Sequence, residues 1–145
     1  MNVTLKVVTP LTTIELDNFQ EIHNFECHYD YSESPDAELW LNDKLLLRLS
    51  FEEACELADM DSHDFEIGLE YCREVHLDFS AWQLAEENFA CHNYEDAIAD
   101  MILSNSKELQ ALSQPLLNHF SFTDYWESDV RHDYTTTESF IFHSR

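Results

Sequence analysis

Apolar and polar positions alternate at the start of the chain and change period near residue 50. Val3, Leu5 and Val7 alternate with Thr4 and Lys6, which predicts a strand over Asn2–Val8, broken at Thr9-Pro10. Over Leu11–Tyr31, the apolar positions Ile14, Leu16, Phe19, Ile22 and Phe25 fit a pair of strands or a short helix equally well. Ser32-Glu33-Ser34-Pro35-Asp36 reads as a loop. Ala37–Leu41 and Lys44–Leu49 flank Asn42-Asp43, two residue types that tolerate positive φ, so a β-hairpin is expected there.

Helical signals then take over. Ser50-Phe51-Glu52-Glu53 has the form of a capping box, with the Ser50 hydroxyl able to accept from the Glu53 amide, and opens a helix to about Asp59. Asp61-Ser62-His63-Asp64 caps a second helix to about His76. Asp78 caps a third, with Phe79, Trp82, Leu84, Ala85 and Phe89 as its buried stripe and Glu86 and Glu87 on the wet face. Asn93 with Asp96 opens a fourth over Tyr94–Leu103, and Ser106–Leu112 can form a short one. Pro115 suits the first turn of Pro115–His119, and Ser121 with Asp124 starts a last helix to about His132. Tyr134–His143 is β-branched and aromatic enough for a terminal strand, one that can return to the early strands. The expected fold is α+β: N-terminal strands with a β-hairpin, a run of short acidic helices, then a C-terminal helix and strand. Residues 1–50 are expected to form a β-rich module and residues 51–145 an acidic α+β region.

Composition adds one large fact. Thirty acids against seven Lys and Arg give a net charge of −23 over 145 residues, the length of one ordinary domain or two small ones. The acids concentrate in the middle: Met1–Ser50 has nine acids and three bases, Phe51–Asp100 fifteen and one, Met101–Arg145 six and three. A hydrophobic share of 44% with ten Phe, six Tyr and three Trp excludes a disordered acidic tail. The single Gly disfavours phosphate-cradling loops.

Along the second expected helix, Glu66, Glu70 and Glu74 recur every fourth residue, a file about 6 Å apart at ~1.5 Å rise per residue. Such a row costs an isolated helix roughly 0.2–0.5 kcal/mol per pair. Its spacing falls near the roughly 6–7 Å between phosphates on one nucleic-acid strand, given ~3.4 Å of rise per strand charge. A surface of this kind repels nucleic acid and attracts either proteins built to bind it or cations. A solvated acidic face and salt adaptation are the plain alternatives.

Catalytic and metal chemistry leave little trace. Cys27, Cys55, Cys72 and Cys91 form no C-x-x-C pair, and Cys27-His28 and Cys91-His92 are adjacent in sequence, a poor geometry for two ligands of one ion. No zinc-protease, nucleophile-elbow or phosphate-loop motif occurs. His63 with Glu66 and Asp129 with His132 could do acid–base work, but such pairs are expected by number among thirty acids and eight His. No catalytic residue, metal or cofactor is therefore expected. The N-terminus lacks the apolar run of a signal peptide and no segment approaches 18 uninterrupted apolar residues, so a cytoplasmic protein with reduced thiols is expected.

From Asp78 onward the chain resembles the ArdA family of antirestriction proteins, acidic DNA mimics of phages and mobile elements. The residues that carry this are Asp78-Phe79-Ser80-Ala81-Trp82-Gln83-Leu84-Ala85, similar to the family's D-F-x-x-[FW]-x-x-A, and Tyr94-Glu95-Asp96-Ala97-Ile98-Ala99, similar to the start of its next helix. Phe120-Ser121-Phe122-Thr123-Asp124-Tyr125 and Phe140-Ile141-Phe142-His143-Ser144-Arg145 resemble its terminal aromatic helix and strand. The chain departs from the family where Glu127 and Ser128 replace an expected Arg, and in lacking its Gly-rich opening. The resemblance implies a non-catalytic inhibitor, homodimeric through its C-terminal region, that occupies the DNA site of a Type I restriction-modification enzyme without itself binding nucleic acid or membrane.

The carboxylates expected to stand in for phosphates are Glu52, Glu56, Glu66, Glu70, Glu74, Asp78, Glu86, Glu87, Glu95, Asp96, Asp100, Asp124, Glu127 and Asp129. Phe120, Phe122, Tyr125 and Trp126 are expected as core or dimer contacts. An anti-CRISPR protein acting by the same mimicry, and a metal-dependent or salt-adapted enzyme, are the other readings.

Overall fold

A computed structural model of the protein describes residues 3–9, 12–16, 18–22 and 36–144. The fold is α+β, with two antiparallel sheets and short helices. The chain divides into two compact units, Met1–Gln83 and Leu84–Arg145. Composition places the change at Ser50/Phe51, whereas contacts divide the chain at Gln83/Leu84, because the first helices pack within the first unit rather than beginning a new one.

In the first unit, β1 (Val3–Val8), β2 (Thr13–Leu16), β3 (Asp36–Leu41) and β4 (Lys44–Ser50) form a sheet in the order β2-β1-β3-β4. Register follows the alternation. Leu5 lies opposite Leu16 and Leu39, and Val7 opposite Ile14 and Ala37, which puts an apolar row on one face. The other face carries Glu15, Lys6, Glu38 and Arg48 in cross-strand register, alternating in sign over the whole sheet. The turn between β3 and β4 is Asn42-Asp43, with φ of 50° and 66°, the left-handed pair that a two-residue hairpin requires. Ser32–Pro35 and most of Leu11–Tyr31 lie outside the described residues. What is described there is strand β2 and a 3-10 turn at Phe19–Glu21, while Asp36, expected in the loop, begins β3.

Helix α1 (Phe51–Ala58) starts with the expected capping box. The Glu53 amide donates to Ser50 Oγ at 3.1 Å and the Ser50 amide to Glu53 Oε1 at 2.8 Å. Its buried residues Phe51, Ala54, Cys55, Leu57 and Ala58 form one stripe, and the helix packs against β3 and β4. Helix α2 (Ser62–Glu74) is capped by Asp61, whose Oδ1 accepts from the His63 amide at 2.8 Å. Ile67 to Cys72 are all buried, so at roughly 100° per residue the middle of α2 is covered on every side. Gly68 sits in that stretch because the Trp82 indole lies on the helix backbone. A Cβ there would stand 2.5 Å from Trp82 Cγ and 2.7 Å from Nε1, and the indole N–H donates to the Phe65 carbonyl at 3.2 Å.

Helix α3 (Ala81–Asn88) begins after Asp78, whose Oδ1 accepts from the Ser80 amide at 3.2 Å. Trp82 and Ala85 are buried, but Phe89 is not in the helix: it opens strand β5 (Phe89–His92) in the second unit. That unit continues with α4 (Glu95–Asn105), α5 (Lys107–Gln110), α6 (Gln114–Asn118) and α7 (Phe122–Tyr125). Ser121 caps α7 as expected, accepting from the Asp124 amide, and Ser106, expected inside a short helix, caps α5 by accepting from the Leu109 amide. After Tyr125 the expected long helix loosens into a π-helical turn, Trp126–Val130, and a 3-10 turn, Arg131–Asp133.

Two expectations about this unit are corrected. Tyr134–His143 is not one strand but a hairpin of β6 (Tyr134–Thr136) and β7 (Phe140–His143), and β7 is the centre of a separate sheet ordered β5-β7-β6. It does not pair with the early strands among the described residues. Thr137 makes the turn by accepting from the Phe140 amide at 3.2 Å and donating to the Phe140 carbonyl at 3.1 Å. Asn93 does not cap α4. Its amide side chain donates to the Thr137 carbonyl at 2.8 Å and its backbone N–H to the Ser139 carbonyl at 2.9 Å, which holds the hairpin turn, while Tyr94 occupies the cap position without a side-chain bond. Cys91, Met101, Ile102, Leu109, Trp126 and Ile141 make the core of this unit.

Candidate functional site

Every carboxylate of the expected set is exposed except Glu70. On α1, Glu52 and Glu56 face solvent one turn apart, while Glu53 is turned to the cap. On α2, Glu66 and Glu74 are exposed in the second and last turns, but Glu70 is only 3% exposed, with Oε1 3.8 Å from Arg73 Nη2. The same guanidinium nitrogen lies 3.6 Å from Glu74 Oε2. The expected file of three is therefore broken at its centre. Glu70 falls in the covered turn beside the Arg73 guanidinium, where a buried polar side chain needs a partner. What is left of that file is Glu66 and Glu74, about 12 Å apart along the axis, twice the phosphate-like step. The i,i+4 spacing of about 6 Å survives in the exposed pairs Glu52/Glu56 on α1 and Asp96/Asp100 on α4.

Asp78 is exposed at the entrance to α3, and Glu86 and Glu87 lie on its wet face. In the second unit Glu95, Asp96, Asp100, Asp124, Glu127 and Asp129 are exposed. Two of these are already engaged: Glu95 Oε1 accepts from Thr123 Oγ1 at 3.3 Å, and Glu127 Oε2 accepts from Arg131 Nη1 at 2.6 Å. Asp59, Asp61 and Asp64, absent from the expected set, are exposed around the α1–α2 connection. The dense run Asp59-Met60-Asp61-Ser62-His63-Asp64 was the signal for them, overlooked because they read as caps.

The positive groups are segregated. Of the four bases in Met1–Gln83, Lys6, Lys44 and Arg48 belong to the sheet, and Arg73 belongs to α2. Arg48 Nε is 3.8 Å from Glu38 Oε2, and Lys6 Nζ lies 3.9 Å from the Trp40 ring centroid, a cation–π contact, while Trp40 Nε1 donates to Glu38 Oε1 at 3.2 Å. The sheet's outer face thus balances its own charges. Glu52, Glu56, Asp59, Asp61, Asp64, Glu66, Glu74 and Asp78 are left on the helices and their connections with Arg73 as the base of that region.

Of the aromatic residues expected as core or dimer contacts, Trp126 is 6% exposed and belongs to the core, 5.6 Å from the Tyr134 ring. Phe120 and Phe122 are half-buried against the same core, edge to face at 4.9 Å, and Tyr125 is exposed.

Cys55, Cys72 and Cys91 are buried. Burial pushes the Cys72 and Cys91 thiols up to about 11, so at neutral pH they are neither thiolate nucleophiles nor ready metal ligands. Tyr134 is raised as well, by burial and then by the neighbouring Cys91 and Asp133. Among the described residues no group of three or more His, Cys, Asp or Glu is placed to hold a metal ion, and no helix is long and apolar enough to cross a membrane. In comparisons with known proteins, no family model, no curated protein and no solved structure matches the chain.

Proposed function

We propose that this protein is a non-catalytic inhibitor whose exposed carboxylates occupy the DNA-binding site of a bacterial defence enzyme, with a Type I restriction-modification enzyme as the first candidate. The observation that carries this reading is the segregation of charge in the first unit: Lys6, Lys44 and Arg48 lie on the sheet, with Arg48 paired to Glu38 and Lys6 over the Trp40 ring, while carboxylates are exposed on capped helices and their connections. A DNA-binding groove gains most of its affinity by displacing counterions around phosphates, and fixed carboxylates compete for the same Lys and Arg side chains. Fixing matters, since ordering a flexible acidic chain on binding costs entropy. The capping box on α1, the Asp61 cap on α2 and the wedge of Trp82 on Gly68 supply that fixing. The motif-level resemblance of Asp78–Arg145 to the ArdA family supplies the partner class and the homodimer; of the expected dimer aromatics, Tyr125 is the exposed one. The burial of Glu70 changes one detail: the mimicry rests on patches from several helices, not on a single rod along α2.

The test is cleavage of plasmid DNA by a purified Type I restriction-modification enzyme, with the protein added before or after the DNA. Inhibition that is strong when the protein is added first, weak when DNA is bound first, and relieved by excess non-specific duplex supports the reading. Unchanged cleavage by this enzyme and by other DNA-binding defence enzymes at stoichiometric excess sinks it.

A further inference from the structure

The second unit carries a groove with chemistry of its own. It lies between the start of α4 and the turn from α7 into the π-helical segment and has a volume of about 280 Å³. Ile98, Phe122 and Trp126 are the more buried part of its lining; Tyr94, 58% exposed, and the carboxylates of Glu95 and Glu127 are the open part. The two carboxylates come from different elements, and each is held by a neighbour: Glu95 by the Thr123 hydroxyl and Glu127 by Arg131. That leaves both of them with further lone-pair directions. The volume falls just under the roughly 300–1,000 Å³ typical of small-molecule sites, a size suited to one side chain rather than a whole metabolite.

We propose that this groove receives one arginine side chain from a protein partner. The methylene stem lies over Ile98 and Phe122, the planar guanidinium stacks on the exposed Tyr94 ring, and its N–H fork meets the carboxylates of Glu95 and Glu127. Arginine fits better than lysine because the guanidinium is planar, stacks on aromatic faces and donates two parallel hydrogen bonds to one carboxylate. A net charge of −23 favours a cationic occupant and repels a nucleic acid. The supply of that arginine by a DNA-binding defence enzyme rests on the proposed function; the capture of an arginine by the groove does not.

The experiment uses the full chain, isotopically labelled, titrated at low salt with a capped Gly-Gly-Arg-Gly-Gly peptide and with its citrulline counterpart, which keeps the shape and removes the charge. Expected are saturable amide shifts at Tyr94, Glu95, Ile98 and Thr123 with a millimolar dissociation constant, at least about fivefold weaker for the citrulline peptide. Tyr94→Ala and Glu95→Gln, both at exposed positions, are expected to weaken the arginine peptide about fivefold or more with unchanged circular dichroism, and Glu108→Gln, exposed and outside the groove, to leave it unchanged. Shifts that do not saturate and spread over all exposed acids, equal binding of the citrulline peptide, or full affinity in Tyr94→Ala overturn the proposal. Loss of peptide binding with intact enzyme inhibition removes the groove alone. Peptide binding without any enzyme inhibition removes the proposed function and leaves the groove.

Discussion

Gly68→Ala sets two effects of opposite sign against each other at a single site. In an exposed helix interior, Ala is more stable than Gly by ~1 kcal/mol. At residue 68 the added methyl would stand 2.5 Å from Trp82 Cγ and 2.7 Å from Nε1, well inside van der Waals contact. The obstacle is a rigid indole ring, itself 5% exposed, with the Phe65 and Phe79 rings at centroid distances of 6.0 and 6.3 Å. Relief requires moving the ring, which also loosens its 3.2 Å bond to the Phe65 carbonyl. Overpacking a filled core costs about 1–3 kcal/mol and a lost neutral hydrogen bond about 1 kcal/mol. Set against the propensity gain, the net expectation is a destabilisation of about 1–3 kcal/mol. Urea denaturation followed by far-ultraviolet circular dichroism, in a cycle with Trp82→Leu, separates the effects. In the Trp82→Leu background the methyl has room, and Gly68→Ala is expected to become neutral or stabilising. If Gly68→Ala stabilises the otherwise native chain by about 1 kcal/mol, the close approach of the indole is wrong.

Glu66 and Glu70, two of the three glutamates of α2, are expected to respond differently to the same substitution. Glu70→Gln removes a buried carboxylate beside Arg73 and is expected to cost about 1–2 kcal/mol by urea denaturation, whereas Glu66→Gln at an exposed position stays within about 0.5 kcal/mol; equal effects contradict the burial of Glu70. The thiols give a pH dependence. Burial raises Cys72 and Cys91 to about 11 in the fold from the thiol's ordinary 9.0, so their contribution is fully present below pH 9 and lost as the pH rises toward 11. The loss amounts to on the order of 2–3 kcal/mol per thiol, and a Cys72→Ala variant should show a shallower decline in stability from pH 9 to 11; an identical slope argues against a buried protonated thiol.

What was legible in the chain was local. The Asn42-Asp43 turn, the Ser50–Glu53 capping box and the Asp61 and Ser121 caps each depend on residues within four positions of one another, and each is found in the fold. The pairing of the last strands was not legible, because β5 and β7 meet across the four helices between them and nothing in Phe140–His143 names its neighbour. Asn93 misled for the same reason: its side chain reaches 44 residues along the chain to Thr137 instead of capping the adjacent helix. Glu70 is the most instructive miss. Counting every fourth residue picked out a file of carboxylates, but Ile67, Gly68, Leu69, Tyr71 and Cys72 surround Glu70 with apolar groups on all azimuths, the mark of a helix turn buried all round. The lone Gly counted in the sequence only against phosphate-cradling loops, whereas in the fold it admits Trp82.

Carboxylates of the first unit, placed outward on capped helices, are proposed to compete with DNA for one protein surface. Displacement of a labelled duplex from a Type I restriction-modification enzyme, measured at several salt concentrations with the natural chain and with Glu52, Glu56, Glu66 and Glu74 together changed to Gln, tests it most directly. The account predicts competitive displacement that weakens steeply with salt, and a variant that keeps its fold by circular dichroism but displaces at least about tenfold less well with a shallower salt dependence. A correctly folded variant that displaces the duplex as well as the natural chain at every salt concentration would contradict it.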